Sequence, residues 1–216
     1  MLPNFNINTS YSFITKQTNH FKRLIKKKII LVGSGRTDAG VHALEQSANF
    51  KTDYIIEDKN SFIKSLNFFL FKDGISILDL KKKKISFHSR YSAKKRSYKY
   101  FIINREAPSV LKKKRLWHIT KKLDLDVMKK GAKEIKKLRN FSTFRASSCS
   151  AKSPIKTLDE IIIIKKNDII EIRFFSKSFL QNQVRSMVGC LKYLAEKKWS
   201  IKKFKEVINS KKRSNC

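Results

Sequence analysis

Apolar residues along the 216-residue chain switch repeatedly between strand-like and helix-like spacing. The run Ile29 to Val32 reads as a strand ending at Gly33, and Val41 to Phe50 as a second extended stretch. Upstream, Phe21, Leu24 and Ile25 share one face at the end of a helix over His20 to Lys28. Met1 to Asn19 is polar, rich in Asn and Thr, and reads as poorly ordered. Ser61 caps a predicted helix through Asn67, and Asp73-Gly74 turns the chain into a strand at Ile75 to Leu80. Lys81 to Lys84 reads as a solvated turn, or as four ammonium groups tracking a phosphate backbone. From Ser97, alternation puts Tyr98, Tyr100 and Ile102 on one face of a strand and Lys99 and Phe101 on the other.

Arg105 to Arg115 is a connector interrupted by Pro108, and a second subdomain begins near Trp117. Asp124 caps a helix in which Val127, Met128, Gly131, Ile135 and Leu138 recur at helical spacing, with lysines on the solvated side. Leu158 to Ile164 and Ile169 to Phe175 form a predicted hairpin in which Ile170, Ile172 and Phe174 share one face. A long helix over Phe179 to Lys197 buries Val184, Met187, Val188, Leu191, Leu194 and Ala195. Arg185 lies beside that stripe, a position that calls for a carboxylate partner. Ile201, Phe204, Val207 and Ile208 make a last short amphipathic helix. These elements predict an α+β protein of two subdomains, 1–105 and 106–216.

Charge changes the picture from fold to partner. Fifty Lys and Arg against 17 Asp and Glu give a net charge of +33, a field that draws polyanions, and nucleic acid is the partner this favours. The abundance of Lys, Ile, Asn and Phe also fits AT-rich coding, so part of the charge has a compositional alternative. An acidic membrane surface is the lesser option, because no basic amphipathic helix stands alone. Cys149, Cys190 and Cys216 are an odd number without metal-ligand spacing, and they read as reduced thiols of a cytoplasmic protein with no metal site. No cleavable signal and no apolar run of about 18 residues is present, so neither export nor a membrane span is expected.

Candidate chemistry concentrates between the first two strands, at Gly33-Ser34-Gly35-Arg36-Thr37-Asp38-Ala39-Gly40-Val41-His42-Ala43. One acid, Asp38, follows one base, Arg36, among glycines that permit a tight turn. A carboxylate kept ionised by a nearby guanidinium suits a nucleophile, although Thr-Asp-Ala-Gly is also ordinary turn chemistry. Aromatics interleaved with Arg and Lys from Phe87 to Phe101 suit stacking on unpaired bases, and tyrosines in a strand are equally often core. Phe141 to Cys149 is a hydroxyl-rich loop whose Arg145 suits a phosphate contact.

Arg36 to Ala43, followed by Gln46 and Phe50, resembles the signature of the TruA family of tRNA pseudouridine synthases. Phe87 to Phe101, Phe141 to Cys149 and Phe179 to Gly189 resemble the family's further motifs, in the family's order. The resemblance implies isomerisation of uridine to pseudouridine in the tRNA anticodon stem-loop, at positions 38 to 40, by a homodimer without a cofactor. It implies Asp38 as nucleophile, Tyr98 packed against the target base, and Arg185 paired with Asp38. Arg36, Arg90, Lys94, Lys95, Arg96 and Arg145 become the candidate RNA contacts. The implied architecture is two ferredoxin-like or RRM-like subdomains sharing a mixed, mostly antiparallel sheet, with helices on one face and an active-site cleft between the halves. The family's usual first strand with Tyr-Asp-Gly and its last strand find no match, so the sheet is expected to lack both. A truncated, catalytically weak tRNA-binding protein of the same fold is the alternative expectation.

Overall fold

The computed structural model describes residues 3–9, 21–35, 37–38, 40–112 and 114–216, with the side chains of 7–9 left aside. The chain divides into two compact units, Met1–Ala93 and Lys94–Cys216. The tyrosine strand lies in the second of these units, and the described partners of its ladders belong to that unit too.

In the first unit, β1 (Asn4–Thr9), β2 (Val32–Gly33), β3 (Gln46–Lys51) and β4 (Ile77–Lys83) form a sheet in the order β2-β3-β1-β4. Strand β1 corrects one expectation. It lies within the stretch read as poorly ordered, and it pairs between β3 and β4. Its inward polar positions hid it: Asn4 and Asn6 are buried, while Phe5 stacks on Phe50 at 5.6 Å between ring centroids. A strand whose buried asparagines are hydrogen-bonded is stable, but its pattern lacks apolar alternation. The rest of the segment read as poorly ordered, 1–2 and 10–19, lies outside the described residues.

Other boundaries shift for local reasons. Residues 21–25 are helical, with Phe21 and Ile25 buried as expected. The helix α1 (Lys59–Leu70) begins earlier than Ser61, because the Asp58 carboxylate accepts the backbone N–H of Asn60. Lys81, Lys82 and Lys83 belong to β4 rather than to a turn, and they pair with Asn6, Phe5 and Asn4. The carboxamide of Asn67 exchanges hydrogen bonds with the backbone of Ile77, which satisfies part of the β4 edge.

The second unit carries β5 (Arg96–Asn104), β6 (Trp117–Ile119), β7 (Glu160–Lys166) and β8 (Ile169–Ser176) in the order β6-β5-β8-β7. Among the described residues of this sheet, β5 with β6 is the parallel pair. Tyr98, Tyr100 and Ile102 face Phe174, Ile172 and Ile170 across the β5–β8 ladder, and these last three are fully buried. Helices α2 (Leu125–Lys137), α3 (Gln183–Ala195) and α4 (Ile201–Asn209) supply Met128, Ile135, Met187, Leu191 and Phe204 to the same core. Asp124 caps α2 by accepting the Val127 N–H at 3.1 Å. The α+β class of two subdomains is therefore borne out. Among the described residues the ladders close within each unit, giving two four-stranded sheets where the resemblance implied one shared sheet.

Gly131 is where α2 meets its neighbours. A Cβ there would lie 2.5 Å from Leu194 Cδ2, 3.0 Å from Leu191 Cδ2 and 3.3 Å from Phe204 Cζ, and all three side chains are buried. Gly131→Val should therefore destabilise the second unit by about 1–3 kcal/mol despite the better helix propensity of valine. Urea denaturation followed by circular dichroism checks this, and unchanged stability would contradict the packing.

Candidate functional site

In the first unit, the carboxylate predicted as nucleophile sits on a tight turn. The Val41 N–H donates to the Asp38 carbonyl at 3.2 Å, and Gly40 at the third turn position has φ of 79°, a conformation that disfavours any side chain. The turn is tied to β3 at its base, where Ser34 N–H donates to the Ser47 carbonyl and Gln46 Nε2 donates to the Gly35 carbonyl. Asp38 is half-buried. The second extended stretch begins at Gln46, not Val41, because this anchoring keeps 41–45 out of the ladder. Arg36 lies outside the described residues.

The loop before the unit boundary is pinned to the strands that carry the turn. Ser89 is buried, its hydroxyl donates to the Val32 carbonyl at 2.6 Å, and its N–H donates to Asn49 Oδ1 at 2.9 Å. Asn49 Nδ2 donates in turn to Asn4 Oδ1 at 3.1 Å, and Asn4 Nδ2 reaches the carbonyls of Lys84 and Phe87. The Asn4–Asn49–Ser89 chain thus brings His88, Arg90 and Tyr91 to β2, whose next residues lead to Asp38. Spacing alone gave no sign of this bracing.

In the second unit, three of the sequence motifs converge. Tyr98 is half-buried on β5 and meets Phe179 edge-on, with ring centroids 5.1 Å apart. Burial raises the Tyr100 hydroxyl above its ordinary pKa, and the nearby Arg185 charge pulls the other way. Arg185 itself is exposed on the first turn of α3, not crowded beside the apolar stripe. That helix starts at Gln183 rather than Phe179, because Gln183 Oε1 accepts the Leu180 N–H at 2.8 Å and shapes a separate loop.

The hydroxyl-rich loop docks on this one: Ala146 N–H donates to the Gln181 carbonyl at 3.2 Å. Arg145 Nη2 donates to the carbonyls of Cys149 and Ala151 at 2.8 and 2.7 Å, so this guanidinium moulds its own loop. Burial acts to raise the Cys149 thiol, but N–H groups of Ala151 and Gln181 and the Arg145 charge outweigh it and lower its pKa. Arg96 donates to the Lys177 carbonyl, and the Lys95 ammonium lies 4.4 Å from the Phe175 ring centroid. Lys94 is exposed.

Comparison with known proteins places these residues in a family. Residues 138–216 match the profile of a family described as tRNA pseudouridine synthase. Over 194 residues, 90% of this chain and 79% of the relative, the chain is 57% identical to tRNA pseudouridine synthase A of Pelagibacter ubique strain HTCC1062. The chain belongs to the TruA family of tRNA pseudouridine synthases. A second TruA relative, tRNA pseudouridine synthase A of Maricaulis maris strain MCS10, is 35% identical over 87% of the chain and 75% of its own length. The matched profile begins just before Phe141, so it takes in the hydroxyl-rich loop and the Arg185 helix of this TruA chain.

Proposed function

We propose that this enzyme isomerises uridine to pseudouridine in the tRNA anticodon stem-loop, at positions 38 to 40, with Asp38 as nucleophile and without a cofactor. The observation that carries the reading is the unbroken Arg36 to Ala43 segment in a chain 57% identical to a tRNA pseudouridine synthase A. The half-buried turn that presents Asp38 supports it.

The reaction conserves atoms. The bond from the sugar C1′ to base N1 breaks, the base rotates, and a bond from C1′ to C5 forms. The C5 proton leaves and N1 gains one. Asp38 assists the first cleavage, by adding to C1′ or by taking a sugar proton. Tyr98 packs against the base and its hydroxyl serves the proton transfer at C5. Arg185 joins them as the third catalytic residue. The uridine must first leave its stack, at a cost of a few kcal/mol that protein contacts offset. Arg36, Arg90, Lys94, Lys95 and Arg96 hold the RNA backbone, Arg145 shapes the hydroxyl-rich loop offered to it, and a cytoplasmic homodimer goes with this reading.

Incubating the chain with an unmodified tRNA transcript and mapping pseudouridine tests the proposal. Modification is expected at one or more of positions 38 to 40. A map with no pseudouridine there, under conditions where the chain binds the transcript, would sink it.

A further inference from the structure

The turn formed by His88 to Ser92 is built around an aromatic ring that the reaction above leaves without a role. Tyr91 is 76% exposed, yet its ring lies 4.3 Å from the His88 ring, centroid to centroid, and the Arg90 guanidinium lies 6.0 Å from its centre. Exposure of one ring is ordinary by itself; what sets Tyr91 apart is the ring and guanidinium placed against it.

His88 is itself held. Its Nδ1 accepts the backbone N–H groups of Arg90 and Tyr91 at 3.2 and 3.4 Å. The Ser92 hydroxyl accepts the His88 N–H at 3.2 Å, and Ser92 N–H donates to the His88 carbonyl at 2.8 Å. Beneath the turn stands the buried Asn4–Asn49–Ser89 chain, which fastens it to β1, β2 and β3. The ring is thus pre-positioned, and little side-chain freedom remains to be lost when something stacks on it.

The surroundings specify the kind of partner. No Asp or Glu occurs between Asp79 and Glu106, while Lys81 to Lys84, Arg90 and Lys94 to Arg96 all do. Lys83 adds a cation 5.7 Å from the Phe87 ring centroid at the foot of the same loop. An exposed ring on a stretch of chain rich in cations and without acids fits a nucleobase joined to phosphates, since the base offers a π-face and the backbone negative charge.

We propose that Tyr91, backed by His88, is a stacking platform for an unpaired or unstacked base of the tRNA, with Arg90 on the adjoining phosphate. The proposal rests on tRNA being the substrate. It assigns Tyr91 a binding role and His88 a positioning role, distinct from the part given to Tyr98.

Equilibrium binding of an unmodified tRNA transcript at several salt concentrations tests this. Tyr91→Ala should weaken binding about 5- to 150-fold, the range one stacked base supplies, with the salt slope unchanged. Tyr91→Phe should stay within about threefold of wild type, because the ring remains. Arg90→Gln should instead lower the salt slope by about one phosphate contact. Tyr91→Trp should bind and show tRNA-dependent quenching of indole fluorescence beyond that of the wild-type Trp117 and Trp199. Wild-type affinity in Tyr91→Ala, or no added quenching in Tyr91→Trp, would overturn the platform alone. A wild-type chain without tRNA affinity would overturn both the platform and the proposed substrate.

Discussion

Asp38→Asn is expected to lower pseudouridine formation by on the order of 10^4-fold or more while tRNA affinity stays within a few-fold of wild type. Asparagine matches the carboxylate in size, and the turn is held by main-chain bonds that do not need the charge: Val41 N–H to the Asp38 carbonyl, and Gly40 at its positive φ. What the substitution removes is the anionic oxygen that adds to C1′ or takes a sugar proton, which a neutral amide does not replace. Removing one negative charge from a chain of net charge +33 does not weaken its attraction for RNA. Single-turnover assays of pseudouridine per tRNA, with binding measured on the same samples, separate the two quantities. Turnover close to wild type would remove Asp38 from the chemistry; parallel loss of binding and turnover would make it a structural turn residue instead.

Phe174→Ala should destabilise the second unit by about 3–5 kcal/mol. Phe174 is fully buried, lies opposite Tyr98 on β5 and Ile161 on β7, and joins the cluster that receives all three helices. Truncation leaves a cavity between two ladders whose hydrogen bonds prevent the strands from collapsing into it. The urea midpoint for the second unit should fall with the slope of the transition unchanged. A loss below about 1 kcal/mol would show that Phe174 is not at the centre of this core.

How far the sequence could be read followed from which interactions are local. The β7–β8 hairpin, the capped helix after Asp124 and the tyrosine face of β5 were legible because periodicity and a neighbouring side chain decide each of them. Strand β1 was not, since Asn4 and Asn6 become buried only through partners more than 40 residues away in Asn49, Ser47, Lys84 and Phe87. The lysines of β4 misled in the same way: an edge strand tolerates exposed ammonium groups that a sequence reading assigns to a turn.

At the site, the motifs themselves named Asp38, Tyr98 and Arg185 as candidates, because a run of matching residues is a property of the chain alone. Sequence by itself also determined the α+β class, the basic character and the family signature. Only tertiary structure decided that Arg145 folds its guanidinium onto its own loop, that Gln181 joins two motifs, and that His88 and two buried asparagines hold Tyr91 to solvent. The physical reason is that a buried polar group takes whichever partner the fold brings within hydrogen-bond distance, and no period in the sequence encodes that choice.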